Sequence, residues 1–235
     1  MMHIIYRKEL RYFFSSMSGF VFLSVFWAAA GVYFSLGSLA AQNGDIKIFF
    51  SALAPFLMFI LPLLTMRLYA DERNFKTDEM LLSSPVRITS IILGKYFFAL
   101  TIFIIALAPV LVFPLILASL HAPDFLSASG CLLGIILASC AYISLGLFLS
   151  ICTESQTASA ALTFAAFLLM YLVSPQGGMM PSGMAGKVTS FFSLSARISA
   201  FSHGVFNFAD VFFCLSFSAL FIFLGVFVLE DRRLS

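Results

Sequence analysis

Charge is what this sequence most lacks. Only 10% of its 235 residues are Asp, Glu, Lys or Arg, and none of the 13 basic or 11 acidic side chains falls within six long apolar runs. Soluble domains carry roughly 25% charged residues. A chain that is 61% hydrophobic, with a mean hydropathy of +1.05, belongs in a bilayer. A span needs about 20 apolar residues to cross roughly 30 Å of hydrocarbon, so six spans use about half the chain and leave no room for a folded soluble domain.

Other scarcities narrow the function. An ion-coupled carrier keeps ionisable groups at membrane depth despite an insertion cost of about 2.5–3.5 kcal/mol each, and the apolar runs hold none. His3, His121 and His203 all lie outside the runs, which disfavours a proton relay and an intramembrane serine protease. There is no H-E-x-x-H, G-x-S-x-G or G-x-x-x-x-G-K-[ST], hence no sign of a zinc protease, a hydrolase elbow or a nucleotide-binding loop. Cys131, Cys140, Cys152 and Cys214 form no C-x-x-C pair and read as small buried apolar side chains. A net charge of +2 without a basic run gives no case for nucleic acid.

The charge-free runs are Met17–Ala41, Ile48–Met66, Tyr96–Leu120, Phe125–Cys152, Gln156–Ser174 and Val211–Leu229. They predict an all-α integral membrane protein with six transmembrane helices forming one domain over residues 1–235. An even count puts both termini on one side. That side carries Arg7, Lys8, Arg11, Arg67, Arg73, Lys76, Arg87, Lys95, Arg232 and Arg233, against Lys47, Lys187 and Arg197 on the other. The positive-inside rule therefore places both termini in the cytoplasm. The first run is too long for a signal-peptide h-region and is expected to stay as an anchor.

Three segments outside the spans are more than turns. Residues 1–16 mix Ile4, Ile5, Leu10 and Phe13 with Arg7, Lys8, Glu9 and Arg11; this suits either a short interfacial helix entering the membrane at an elbow or a positive flank that only sets topology. In the external segment 175–210, Val188, Phe191, Phe192, Leu194, Ile198, Phe201, Val205 and Phe208 recur at steps of three and four, predicting an amphipathic helix. Lipid packing, a dimer contact and a lid over a substrate exit are all open roles for it. Within the spans, Gly130, Gly134 and Ala138 form a small-residue stripe that suits packing within the subunit or between subunits. Pro55, Pro62, Pro109 and Pro114 are expected to bend the second and third helices.

The third segment, Arg67–Lys95, reads RLYADERNFKTDEMLLSSPVRITSIILGK. Glu72 and Lys76 stand at i, i+4 with the acid first, which predicts a helix continuing from the second span to about Leu82. Ser83 and Ser84 suit a cap for the next helix, with Pro85 in its first turn. A solvated charged hairpin needs no apolar residues, yet Leu68, Tyr69, Phe75, Met80, Leu81, Leu82, Val86 and Ile88 are present. The segment reads as a docking surface for another protein.

This segment resembles the second-to-third-span loop of ABC-2 type permeases, the membrane subunits of ATP-binding-cassette transporters, in which E-R-x-x-G-T-x-E-x-L-L-x-[ST]-P-V is followed by a downstream G-K. Here Glu72, Arg73, Thr77, Glu79, Leu81, Leu82, Ser84, Pro85 and Val86 match, as do Gly94 and Lys95. Lys76 replaces the usual Gly, which is expected to make the bend less sharp. Arg7–Arg11 resembles the family's elbow helix. Phe201, Ser202, Gly204, Val205 and Asp210 are similar to a stretch of the gliding-motility and copper-enzyme-maturation branch, with Asn207 in place of that branch's first Asp.

The resemblance implies a half-transporter in the bacterial inner membrane, with a cytoplasmic coupling helix in the loop. A second, identical or related permease pairs with it, a separate cytoplasmic ATPase binds ATP and Mg, and an external auxiliary subunit is a further partner. The chain itself then carries no cofactor and no enzymatic activity, and export is the expected direction. Glu72, Arg73, Asp78 and Glu79 are implied to set register with the ATPase, and Thr77, Leu81, Leu82 and Pro85 to complete the coupling site. The alternative from another class is a non-transporting scaffold that holds a cytoplasmic protein through the same loop.

Overall fold

The computed structural model describes residues 2–36, 46–74, 76, 86–114, 116, 125–174 and 208–234. All regular structure among these is helical: α1 Met2–Ser15, α2 Met17–Phe34, α3 Ile46–Thr65, α4 Ala70–Asn74, α5 Ile88–Leu107, α6 Phe125–Cys152, α7 Gln156–Leu172 and α8 Phe208–Leu234. Four stretches among the described residues are long and apolar enough to cross a bilayer: Met17–Phe34, Ile88–Pro114, Ala128–Cys152 and Phe208–Arg233. The 20-residue α3 and the 17-residue α7 fall on the two remaining predicted runs. The predicted external amphipathic helix and its glycine-rich approach lie in 175–207, outside the described residues.

The centre of the bundle is α6. Every residue from Ala141 to Leu147 is buried, the mark of a helix covered on all sides, and α3, α5, α7 and α8 pack around it. By contrast α8 buries Cys214, Ser218 and Leu229 while Phe212, Phe223 and Phe227 stay exposed. In a bilayer those exposed rings meet lipid at no cost, so close packing and hydrogen bonds have to hold the helices together.

Two local features show how. Pro109 turns the end of α5 into a 3-10 turn over Ala108–Leu111 and has no N–H to offer Ala106, three residues back. The single tryptophan supplies a donor instead: Trp27 Nε1 of α2 lies 3.1 Å from the Ala106 carbonyl. At the α3–α6 contact the backbone of Gly146 lies against Thr65, where an added Cβ would stand 2.5 Å from Thr65 Oγ1.

Several contacts gather the chain's polar connections at one end of the bundle. Lys8 of α1 meets Glu72 of α4, Arg73 meets Glu154 in the α6–α7 turn, and Arg233 of α8 reaches the Val86 carbonyl just before α5. Both ends of the chain therefore lie on the same side. Asp210, buried in the first turn of α8, is 23 residues from Arg233 and so about 35 Å away along the helix, at the opposite end.

The packing at Gly146 generates a direct test. Gly146→Ala is expected to cost about 1–3 kcal/mol through overpacking, whereas Gly31→Ala, whose Cβ would meet nothing within 4 Å, leaves the melting temperature in detergent unchanged or raised. Equal melting of Gly146→Ala and wild type would contradict the α3–α6 contact.

Candidate functional site

Helix α3 does not run on to Leu82. It ends at Thr65, the chain turns through Met66–Tyr69, and the short α4 follows. The turn is held from α6: Ser150 Oγ accepts from Tyr69 N at 3.2 Å and Ala70 N at 3.1 Å and donates to the Met66 carbonyl at 3.3 Å. A hydroxyl from another helix thus satisfies donors that open α4, whose own sequence has no capping side chain at that position.

Nor does the next helix begin with Pro85 in its first turn. Val86 and Arg87 are non-helical, and α5 starts at Ile88 with Arg87 in extended conformation. The Val86 carbonyl is contacted by Arg233 Nη1 at 3.5 Å. The rest of the predicted docking segment, including Thr77, Asp78, Glu79, Leu81, Leu82 and Pro85, lies outside the described residues.

What the structure does describe is the root of that segment, and an ammonium group sits at its centre. Lys95 lies two turns inside α5 with only 2% of its side chain exposed. Its Nζ is 2.8 Å from Glu72 Oε2 of α4 and 3.2 Å from Glu9 Oε1 of α1. It also donates to the Leu68 carbonyl in the Met66–Tyr69 turn, and the Tyr69 ring lies 5.8 Å away. The ammonium thus donates to two acceptors, Glu9 and the Leu68 carbonyl, and pairs in charge with Glu72, so that three segments converge on it. The expectation that the spans are empty of charge needs this amendment, because Lys95 belongs to α5, within the membrane-length apolar stretch Ile88–Pro114.

Around this centre several other polar side chains have partners within the subunit. Lys8 Nζ stands 3.4 Å from Glu72 Oε1 and is largely exposed, at 61%. Arg73 pairs with Glu154 at 2.6 Å and reaches the Cys152 carbonyl at 3.5 Å. Asp71 accepts a hydrogen bond from the Gln156 amide; burial raises its carboxyl above the ordinary aspartate range, while Arg67 and Lys95 oppose the rise. Glu72 and Arg73 are thus engaged within the subunit, joining α4 to α1 and α5 and to the α6–α7 turn respectively. Arg7 and Arg11 lie on the exposed side of α1. Cys152, read from sequence as a buried thiol, is exposed beside the junction.

A family model described as an ABC-2 family transporter protein matches residues 38–229. The chain belongs to that family. No curated protein matches it. The matched region contains Glu72 and Lys95 but begins after α1, so Glu9 lies outside it.

As a member of the ABC-2 family, the chain gives physical meaning to two glycine positions of the loop pattern. Lys76 stands where the pattern has Gly, and its φ is +54°. Lys76 itself takes the left-handed backbone conformation in which a side chain costs roughly 1–2 kcal/mol. In the G-K pair, a Cβ on Gly94 would stand 3.3 Å from Ile5 Cγ2 and 3.4 Å from the Met2 carbonyl. Gly94 therefore admits α1 against α5, and Lys95 then meets Glu9. Of the branch-like stretch, Phe201 and Gly204 lie outside the described residues, and Asp210 lies far from the junction.

Sequence reasoning took Lys95 as the outer limit of a charged loop and missed it as the loop's anchor. The signal was available in spacing: Ile88, Ile91, Ile92, Lys95, Phe98, Ala99 and Ile102 fall on one face of α5, and all are buried. Glu154, Gln156 and Ser150 were also missed, because their partners lie more than 80 residues away.

Two substitutions check this site. Lys95→Met leaves Glu9 and Glu72 facing each other without their shared cation and is expected to cost about 3 kcal/mol, read as a lower melting temperature. Lys76→Gly is expected to stabilise by up to roughly 1 kcal/mol by relieving the positive φ.

Proposed function

We propose that the chain is the membrane subunit of an ATP-binding-cassette exporter: a six-span half-transporter that pairs with a second permease and is driven by a separate ATPase. Both termini and the junction face the cytoplasm. The observation that carries this reading is the buried Glu9–Lys95–Glu72 cluster at the root of the predicted docking segment.

A push on a segment flexibly tied to its bundle is lost in the tie. Here the root of the segment is fixed to the third-span helix, to α1 and, through Arg73–Glu154 and Asp71–Gln156, to the α6–α7 turn. Buried ion pairs are screened little by salt, and such packed junctions move as units. Thr77, Asp78, Glu79, Leu81, Leu82 and Pro85 would contact the ATPase, while Glu72 and Arg73 would carry the displacement inward. ATP and Mg would be bound and turned over wholly in the ATPase. Helix α1, which packs on the third-span helix through Glu9 and through Tyr6 Oη, 3.1 Å from Thr101 Oγ1, would act as the elbow helix.

The test is co-purification with a candidate cytoplasmic ABC ATPase. Leu81→Asp and Leu82→Asp are expected to abolish co-purification. Glu72→Lys and Arg73→Glu are expected to retain the ATPase but lower its permease-dependent turnover by about tenfold, within the usual range of coupling energies. Unchanged turnover in both charge variants would remove the coupling assignment.

A further inference from the structure

Between α1, α2, α3 and α5 lies a half-open cavity of about 620 Å³, within the range of about 300–1,000 Å³ typical of small-molecule sites. Its lining divides by chemistry. Along α2 it runs from Met17 to Val25, eight residues or about 12 Å of helix, which approaches the roughly 15 Å thickness of one leaflet's hydrocarbon. This part is apolar, and Val21, Val25 and Leu63 are about half exposed at its opening. The other end, at the junction, is ionic.

The ionic end is not evenly balanced in what it offers a ligand. Of its three carboxylates, Glu9 and Glu72 are bound to Lys95 and Asp71 to Gln156. Of its three cations only Lys95 is buried. Arg67 is exposed and has no carboxylate within 4.0 Å among the described residues. Lys8 is 61% exposed and holds its acidic neighbours only at 3.4 and 4.0 Å. The exposed charges at the mouth, Arg67 and Lys8, are both positive, while Glu9 and Glu72 are each only 14% exposed. These cations stand at the membrane face that carries the N-terminus, directly above an apolar groove of acyl-chain length.

We infer that this cavity binds one glycerophospholipid from the leaflet on the N-terminal side, its phosphodiester held by Arg67 and Lys8 and an acyl chain laid along Val21, Val25 and Leu63. A guanidinium matches phosphate oxygens bidentately, and an apolar groove open to hydrocarbon fills with a chain rather than with water. Such a lipid bridges α1 to α2 and α3 on the side where Lys95 makes no tie to α2. The inference does not depend on the ATPase or on transport.

The experiment is lipid retention by the full-length chain purified in non-ionic detergent, measured by native mass spectrometry and by phospholipid phosphorus per chain. Wild type is expected to retain about one phospholipid per chain, and Arg67→Glu or Arg67→Gln to reduce its occupancy roughly tenfold, the worth of a charge-assisted hydrogen bond. Val25→Trp, which fills the groove, is expected to do the same, and Leu220→Trp on the lipid-facing side of α8 to leave retention unchanged. Equal retention in every variant, or none in wild type, would overturn the inference. So would a Val25→Trp chain that loses dimerisation but keeps its phospholipid, since the groove would then be an interface between two copies.

Discussion

A buried ammonium cannot be left without partners, and the junction end of this protein follows from that constraint. An ammonium buried alone at low dielectric is costly. Satisfied by Glu9, Glu72 and the Leu68 carbonyl, Lys95 turns α1, α4 and α5 into one body. Other features at this end serve the same geometry: Gly94 gives α1 its close approach, and Ser150 fixes the turn that presents Leu68. In a membrane, where apolar contact between helices gains little over contact with lipid, such a polar centre specifies one arrangement among many that are equally greasy.

The sequence was legible where its physics is local. Charge-free runs of span length marked the apolar helices, and the alternating charges after Arg67 marked the segment that carries the family's loop pattern. The same locality explains the misses. A helix was expected to run through Met66–Tyr69 because Glu72 and Lys76 have helical spacing, yet a serine 80 residues later breaks it. Lys76 was expected to soften a bend, and its backbone instead takes a positive φ, which residue spacing does not announce. Pairings such as Arg73–Glu154 and Asp71–Gln156 leave no local trace at all.

This arrangement also separates two tasks that the loop pattern runs together. Asp71, Glu72 and Arg73 are engaged within the subunit and fix the base of the segment, whereas the stretch from Thr77 to Pro85 is the part proposed to meet the ATPase. A loop with a rigid base and a distinct outer portion can accept substitutions outside without losing its anchorage. The tyrosine ring beside Lys95 and the central helix buried on all sides make that base hard to deform.

The order of the three segments in the chain has a consequence for how the protein is made. Glu9, Leu68 and Glu72 all precede Lys95, so when α5 leaves the ribosome the acceptors for its lysine have already been synthesised. Membrane proteins are built from the N-terminus onward, and a lysine entering hydrocarbon alone is penalised at insertion. Here α5 carries its charge towards partners that precede it in the chain. The same cation that fixes the finished fold thereby gives the growing chain a reason to bring α5 against α1, and Ser150 of α6, made later, then fixes the turn that presents Leu68.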